Sequence, residues 1–240
     1  VTDASEVLAE LRSYADPANV EGMTRFGIRG ADVLGGPNLP TLRRIGRRLG
    51  RDPALAQALW NSGVHEARLL ATLVADPGAV TRTQADTWVV GVDSWDVCDQ
   101  LCSNLLDRTP FVDELITAWT GRDEEFVKRA GFALIAAVAV HDKAAPDARF
   151  LAFLGLIERE AGDGRNFVRK AVNWALRQIG KRNAALNAAA IGSAERIATG
   201  FRSGRWVGSD ALRELRSPSV AARLSPEDAS ADRTPNRNAG

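Results

Sequence analysis

The chain has 240 residues, is 45% hydrophobic and 25% charged, and carries a formal net charge of +1 at pH 7. Such a length and apolar content allow one large domain or two small ones with a real core, and exclude disorder across the main body. No apolar run approaches the roughly 20 residues that span a bilayer, and the start VTDASEVLAEL lacks the layout of a signal peptide, so a soluble, cytoplasmic protein is expected.

Helical periodicity runs along nearly the whole chain, with no convincing alternation of β-branched residues. It predicts helices over residues 4–14, 17–25, 39–49, 53–62, 64–76, 83–90, 94–106, 111–120, 124–142, 147–161, 166–182, 184–200 and 206–216. The breaks fall on GGPN at 35–38, DPG at 76–78, RTP at 108–110 and AGDG at 161–164. Connections this short make neighbouring helices antiparallel. FVKRAGFALIAA from Phe126 is echoed by FVRKAVNWALRQ from Phe167, an offset of 41 residues that suits a helix-pair repeat of the HEAT type. The expected architecture is an all-α, HEAT-like solenoid over 1–216, whose concave face gathers side chains from successive repeats. Residues 217–240, rich in Ser, Pro, Ala, Asp and Arg, are expected to form a disordered tail.

Charge is unevenly placed along these elements. Arg25–Arg51 holds seven Arg against one Asp, and from it Arg43 and Arg47 are taken as candidates for binding a polyanion. Gln84–Asp107 holds five Asp and no Lys or Arg. Between them, His65 and Glu66 suggest a metal or acid/base pair, but Leu69 stands where HExxH needs its second His, so zinc is rejected and a packing role at a helix start is favoured. Trp60, Trp88, Trp119 and Trp206 are read as core or inter-repeat residues.

In DSWDVCDQLCSNLL, Asp93 or Ser94 suits an N-cap, and Val97, Cys98, Leu101, Cys102 and Leu105 make an apolar face. Cys98 and Cys102 have no partners for a metal site and are read as reduced, packed thiols. Trp95 and Asp99, one turn apart, fall together on the edge of that face. Either Trp95 is core and Asp99 pairs with an Arg of a neighbouring helix, or the two form a site for a positively charged transition state. Arg129, in the nearly all-apolar stretch 124–142, aligns with Lys170 in the repeat; it either faces the same groove or makes a structural ion pair, with Asp99 itself a possible partner. His141 closes that stretch as a residue favoured by the helix dipole.

Asn166–Asn183 has two faces of opposite chemistry: Phe167, Val168, Ala171, Val172, Ala175 and Ile179 on one, Lys170, Trp174, Arg177 and Lys181 on the other. Residues 164–182 contain six Lys or Arg and no Asp or Glu, so this stripe should attract a polyanion and offer it a flat aromatic surface. A merely solvated basic face is the competing reading.

HEARLLA at His65, SWDVCDQL at Ser94, FVKRAGFAL at Phe126 and NWALRQIGKRN at Asn173, in that order, resemble the AlkD-like DNA alkylation repair glycosylases, from the TRFGI segment near Met23 to Leu215. The resemblance implies a HEAT-like fold that cradles duplex DNA and excises cationic N3- or N7-alkylated purines without extracting the base. It places the catalytic pair on Trp95 and Asp99, a second aromatic on Trp174 and a DNA-contacting Arg on Arg129, with Arg177 close by; Lys170 and Lys181 join the expected DNA contacts from the charged stripe. No metal, no cofactor and no obligate protein partner are expected, and a repeat fold of this size suffices as a cytoplasmic, nucleoid-associated monomer. An N-alkylated purine is already a cationic leaving group, so one carboxylate can serve where other glycosidases need two. No Lys stands out for a Schiff base, as suits a monofunctional enzyme. A non-catalytic relative that binds branched or damaged DNA, or a helical scaffold for protein partners, are the alternatives.

Overall fold

Helix boundaries fall where the chain supplies a capping group. Asp3, Asp16, Asn38, Asp52, Thr81 and Ser217 each accept a hydrogen bond from a backbone N–H of the turn they open, satisfying donors that a helix start leaves orphaned. The computed structural model describes residues 3–28, 32–200 and 202–224. In chain order it holds α1 (Ala4–Ser13), α2 (Pro17–Arg25), α3 (Leu39–Leu49), α4 (Pro53–Asn61), α5 (His65–Val74), α6 (Arg82–Val90), α7 (Trp95–Asn104), a 3₁₀ turn at Leu106–Arg108, α8 (Val112–Trp119), α9 (Glu125–His141), α10 (Asp147–Glu160), α11 (Asn166–Gly180), α12 (Ala184–Gly200), α13 (Arg205–Leu215) and α14 (Pro218–Arg223). Among the described residues there is no strand, and no helix long and apolar enough to cross a membrane.

Contacts divide the chain between Ala137 and Val138, within α9, into two compact units. In the first, α5 packs against both α3 and α7; in the second, α12 packs on α10 and α13 on α11. Contact between alternate helices is how stacked helix pairs of the HEAT type close their cores.

The first unit's core holds Trp60, Trp88, Trp119 and Phe132 among aliphatic side chains. The Trp60 and Trp88 rings stack with centroids 4.3 Å apart. The polar edges are satisfied, because Trp88 Nε1 donates to Gln57 and Trp119 Nε1 to Asp86. Gly131 lets α9 close on the end of α8: a Cβ there would stand 2.7 Å from the Thr120 backbone nitrogen.

In the second unit Arg182 donates to the carbonyls of Ala139 and Asp142, and its guanidinium carbon lies 3.9 Å from the Phe150 ring centroid. It thereby satisfies carbonyls at the end of α9 that have no intrahelical partner.

Two expectations are corrected. Trp206, read as a core or inter-repeat residue, is 41% exposed. Pro218–Arg223, read as part of a disordered tail, form α14, with Ser217 capping Val220 N and the Val220 side chain buried. Ser217 followed by Pro218 is a helix start, a local signal that the polar composition of the segment masks. Residues 225–240 of the expected tail lie outside the described residues.

Candidate nucleic-acid interface and catalytic carboxylate

In the first unit, α7 buries Val97, Cys98, Leu101 and Cys102, leaving Trp95 and Asp99 one turn apart on the edge of the buried face, as the periodicity predicts. Ser94 is the N-cap by backbone conformation, but its side chain makes no capping hydrogen bond. The first turn is held from α5 instead: buried His65 places Nε2 2.9 Å from Asp96 Oδ2. Burial works against charge on both partners, and their mutual attraction outweighs it, leaving His65 above its ordinary pKa and Asp96 below. Glu66, equally buried, accepts from the backbone N–H groups of Leu34 and Gly35 at 3.0 and 2.8 Å. Both residues therefore have the structural role expected of them.

Trp95 Nε1 donates to the carbonyl of Phe26 at 3.0 Å, tying the end of α2 to the rim of this site. Phe26 itself is 74% exposed, so an exposed aromatic residue is anchored to Trp95 through its backbone. Periodicity gave no reason to single it out, because it follows the last turn of a short helix.

Asp99 receives a fork from Arg129, with Nε at 3.1 Å from Oδ1 and Nη2 at 2.8 Å from Oδ2. Arg129 is 5% exposed, and its ion pair with Asp99 describes its place. Burial pushes the Asp99 carboxyl above the usual carboxylate range, and the charge of Arg129 offsets only part of this. For Arg129, burial is outweighed by Asp99, so the cation is retained. The thiols of Cys98 and Cys102 donate to the carbonyls of Phe126 and Ala130, fixing α7 against α9 on either side of Arg129. Burial pushes the Cys102 thiol well up, in keeping with packed, reduced cysteines.

On α3, Arg43 and Arg47 are exposed, one turn apart, and neither has an ion-pair partner among the described residues. Their neighbours are committed: Arg44 reaches the Tyr14 hydroxyl and Arg48 pairs with Glu10. Of these four, only Arg48 is neutralised by an acid, so Arg43 and Arg47 are the cations with no side-chain partner among the described residues.

In the second unit, α11 buries Val168, Ala171, Val172, Ala175, Leu176 and Ile179, while Lys170 is exposed and Trp174, Arg177 and Lys181 are half-buried along the other side. The predicted stripe exists, with a counter-charge missing from the sequence reading. Glu214 of α13 pairs with Arg177 and, at 2.7 Å, with Lys181. Burial opposes the Glu214 charge, but these two cations hold it below the usual range. The stripe thus keeps one positive charge of surplus in that trio and the unshared Lys170. The only sequence signal for Glu214 is its repeat-like distance of 37 residues from Arg177.

A family model described as DNA alkylation repair enzyme matches residues 7–215. Among curated proteins, no sequence matches the chain. A solved structure, reported as a new family of proteins related to the HEAT-like repeat DNA glycosylases with affinity for branched DNA structures, superposes with a TM-score of 0.74 at 16% identity, covering 93% of this chain and 96% of that one. This likeness establishes a shared all-α, HEAT-like repeat fold. A designed armadillo repeat protein aligns at a TM-score of 0.34 and 15% identity over 75% of this chain and 96% of its own. With the family model spanning nearly the whole described chain, the protein belongs to the DNA alkylation repair enzyme family.

Proposed function

We propose that the protein is a monofunctional DNA glycosylase that releases cationic N3- or N7-alkylated purines from duplex DNA by hydrolysis, without drawing the base out of the helix. The observation that carries this reading is Asp99, a half-buried carboxylate at the edge of α7 beside the half-exposed Trp95 and oriented by the Arg129 fork. A carboxylate offers about four acceptor sites and the fork occupies two, leaving lone pairs for a water. As the glycosidic bond breaks, its electron pair leaves with the purine, neutralising the base and placing positive charge on the sugar. Asp99 stabilises that charge and accepts a proton from the water that attacks C1′. Trp95 offers its indole face to the deoxyribose and backbone, and Trp174 of the second unit is taken as a second aromatic against DNA.

Arg43, Arg47 and Lys170 supply phosphate contacts, with Arg177 and Lys181 contributing through their surplus charge. Arg129 acts mainly by orienting Asp99. No metal, cofactor or obligate protein partner takes part, and the protein acts as a cytoplasmic, nucleoid-associated monomer. Half-exposed aromatics on helix edges suit contact with a sugar–phosphate backbone, which supports a route without base flipping.

The fold shared with proteins that have affinity for branched DNA favours one second reading, a DNA binder without chemistry. Incubation with duplex DNA containing 7-methylguanine or 3-methyladenine separates the two. The glycosylase reading expects free base to appear in solution; tight DNA binding with no release of small or bulky N3 or N7 adducts would favour the binder.

A further inference from the structure

We propose that Trp206 of α13, backed by Arg169 of α11, is a stacking platform for an unpaired nucleobase, so that the second unit engages DNA at a single-stranded flank. The inference rests on the DNA-binding reading above and adds a site to it. Three other tryptophans, Trp60, Trp88 and Trp119, are buried, and Trp206 is 41% exposed. Its exposure is organised: the Arg169 guanidinium carbon lies 5.2 Å from the ring centroid. The same guanidinium reaches Asn166 Oδ1 at 3.3 Å, while its buried Nε has no hydrogen-bond partner. A cation held against one indole leaves a polarised aromatic surface for a further π system.

The helix beneath is closely packed. A Cβ at Gly208 would lie 2.5 Å from the Ala194 carbonyl oxygen, so α13 sits on the backbone of α12. Asn173 of α11 donates to the Val207 carbonyl at 3.0 Å, fixing the residue next to Trp206.

The surrounding charge selects the partner. Arg202 and Arg205 are exposed, and neither has an ion-pair partner among the described residues. The acids of α13 are occupied, Asp210 by Arg213 and Glu214 by Arg177 and Lys181. Cations beside an open aromatic ring are the chemistry that binds single-stranded nucleic acid, with phosphates on the cations and a base on the ring. Inside an intact duplex every base face is stacked and only the end pairs are open, whereas an overhang, flap or junction offers unpaired bases.

The test is the anisotropy of dye-labelled DNA, comparing a blunt duplex with the same duplex carrying a single-stranded overhang. The intact protein should prefer the overhang, and Trp206→Ala should weaken overhang binding about tenfold, with blunt-duplex binding nearly unchanged. Trp206→Phe should retain most of the preference, which a merely electrostatic role for the patch would not require. Equal losses on both DNAs, or none on the overhang, would overturn the platform while leaving DNA binding intact. Failure of the intact protein to bind even the blunt duplex at low salt would remove the DNA-binding reading and the platform with it.

Discussion

At Asp99 two demands oppose each other: a carboxylate that stabilises a cation must be ionised, yet it is desolvated enough to be pushed above the usual carboxylate range. Arg129 relieves part of this conflict, and its fork aims the carboxylate while using two of its acceptor sites. Removing one partner of such a buried pair leaves the other uncompensated, at a cost of about 3–5 kcal/mol. Arg129→Gln should therefore lower the unfolding free energy by about that amount in urea titrations. It should also change the pH profile of base release. Loss of the positive charge raises the Asp99 pKa further, so the acid limb should move to higher pH, a shift that damage to the fold alone would not produce. The amphipathic edge that carries Trp95 and Asp99 was legible from the spacing of apolar residues in α7. The choice between free groove arginine and ion pair was open, because it depends on which helix lies opposite, and the contact joins residues 30 apart.

Among the elements, helix faces and starts were the readable part. The buried rows of α7 and α11 match the predicted periodicity, and His65 and Glu66 have the packing role expected at the start of α5. Glu214, Trp206 and α14 were not legible, each for a physical reason. Glu214 pairs with Arg177 across helices; burial of Trp206 depends on what α13 leaves uncovered; α14 lies in a stretch whose composition resembles a linker. Close helix approach was also invisible, since a glycine inside a helix reads locally as a weak point. Gly131→Ala should destabilise the protein by about 1–3 kcal/mol, because the added methyl meets the Thr120 backbone and forces the α8–α9 contact apart. Gly155→Ala on α10, where an added Cβ meets nothing within 4 Å, should instead stabilise by up to about 1 kcal/mol. Thermal melts of the two variants should move in opposite directions.

For the whole molecule, a net charge of +1 conceals separate cationic surfaces that pair only partly with acids. Arg43 and Arg47 on α3 and Lys170 on α11 keep their charge exposed, so affinity for DNA should depend on salt more steeply than the total charge suggests. Replacing Arg43 and Arg47 by Ala should reduce the slope of log K against log salt by about 0.9 for each phosphate that is no longer neutralised, with little dependence on DNA sequence. An all-α, HEAT-like fold is common to enzymes and binders, so chemistry must be read from the site. Single-turnover release of 7-methylguanine or 3-methyladenine from duplex DNA, comparing the intact protein with Asp99→Asn, tests the central claim most directly. Release by the intact protein, falling by about 100-fold or more in a folded variant that still binds DNA, is the predicted result. Equal release by both proteins would contradict the role given to Asp99.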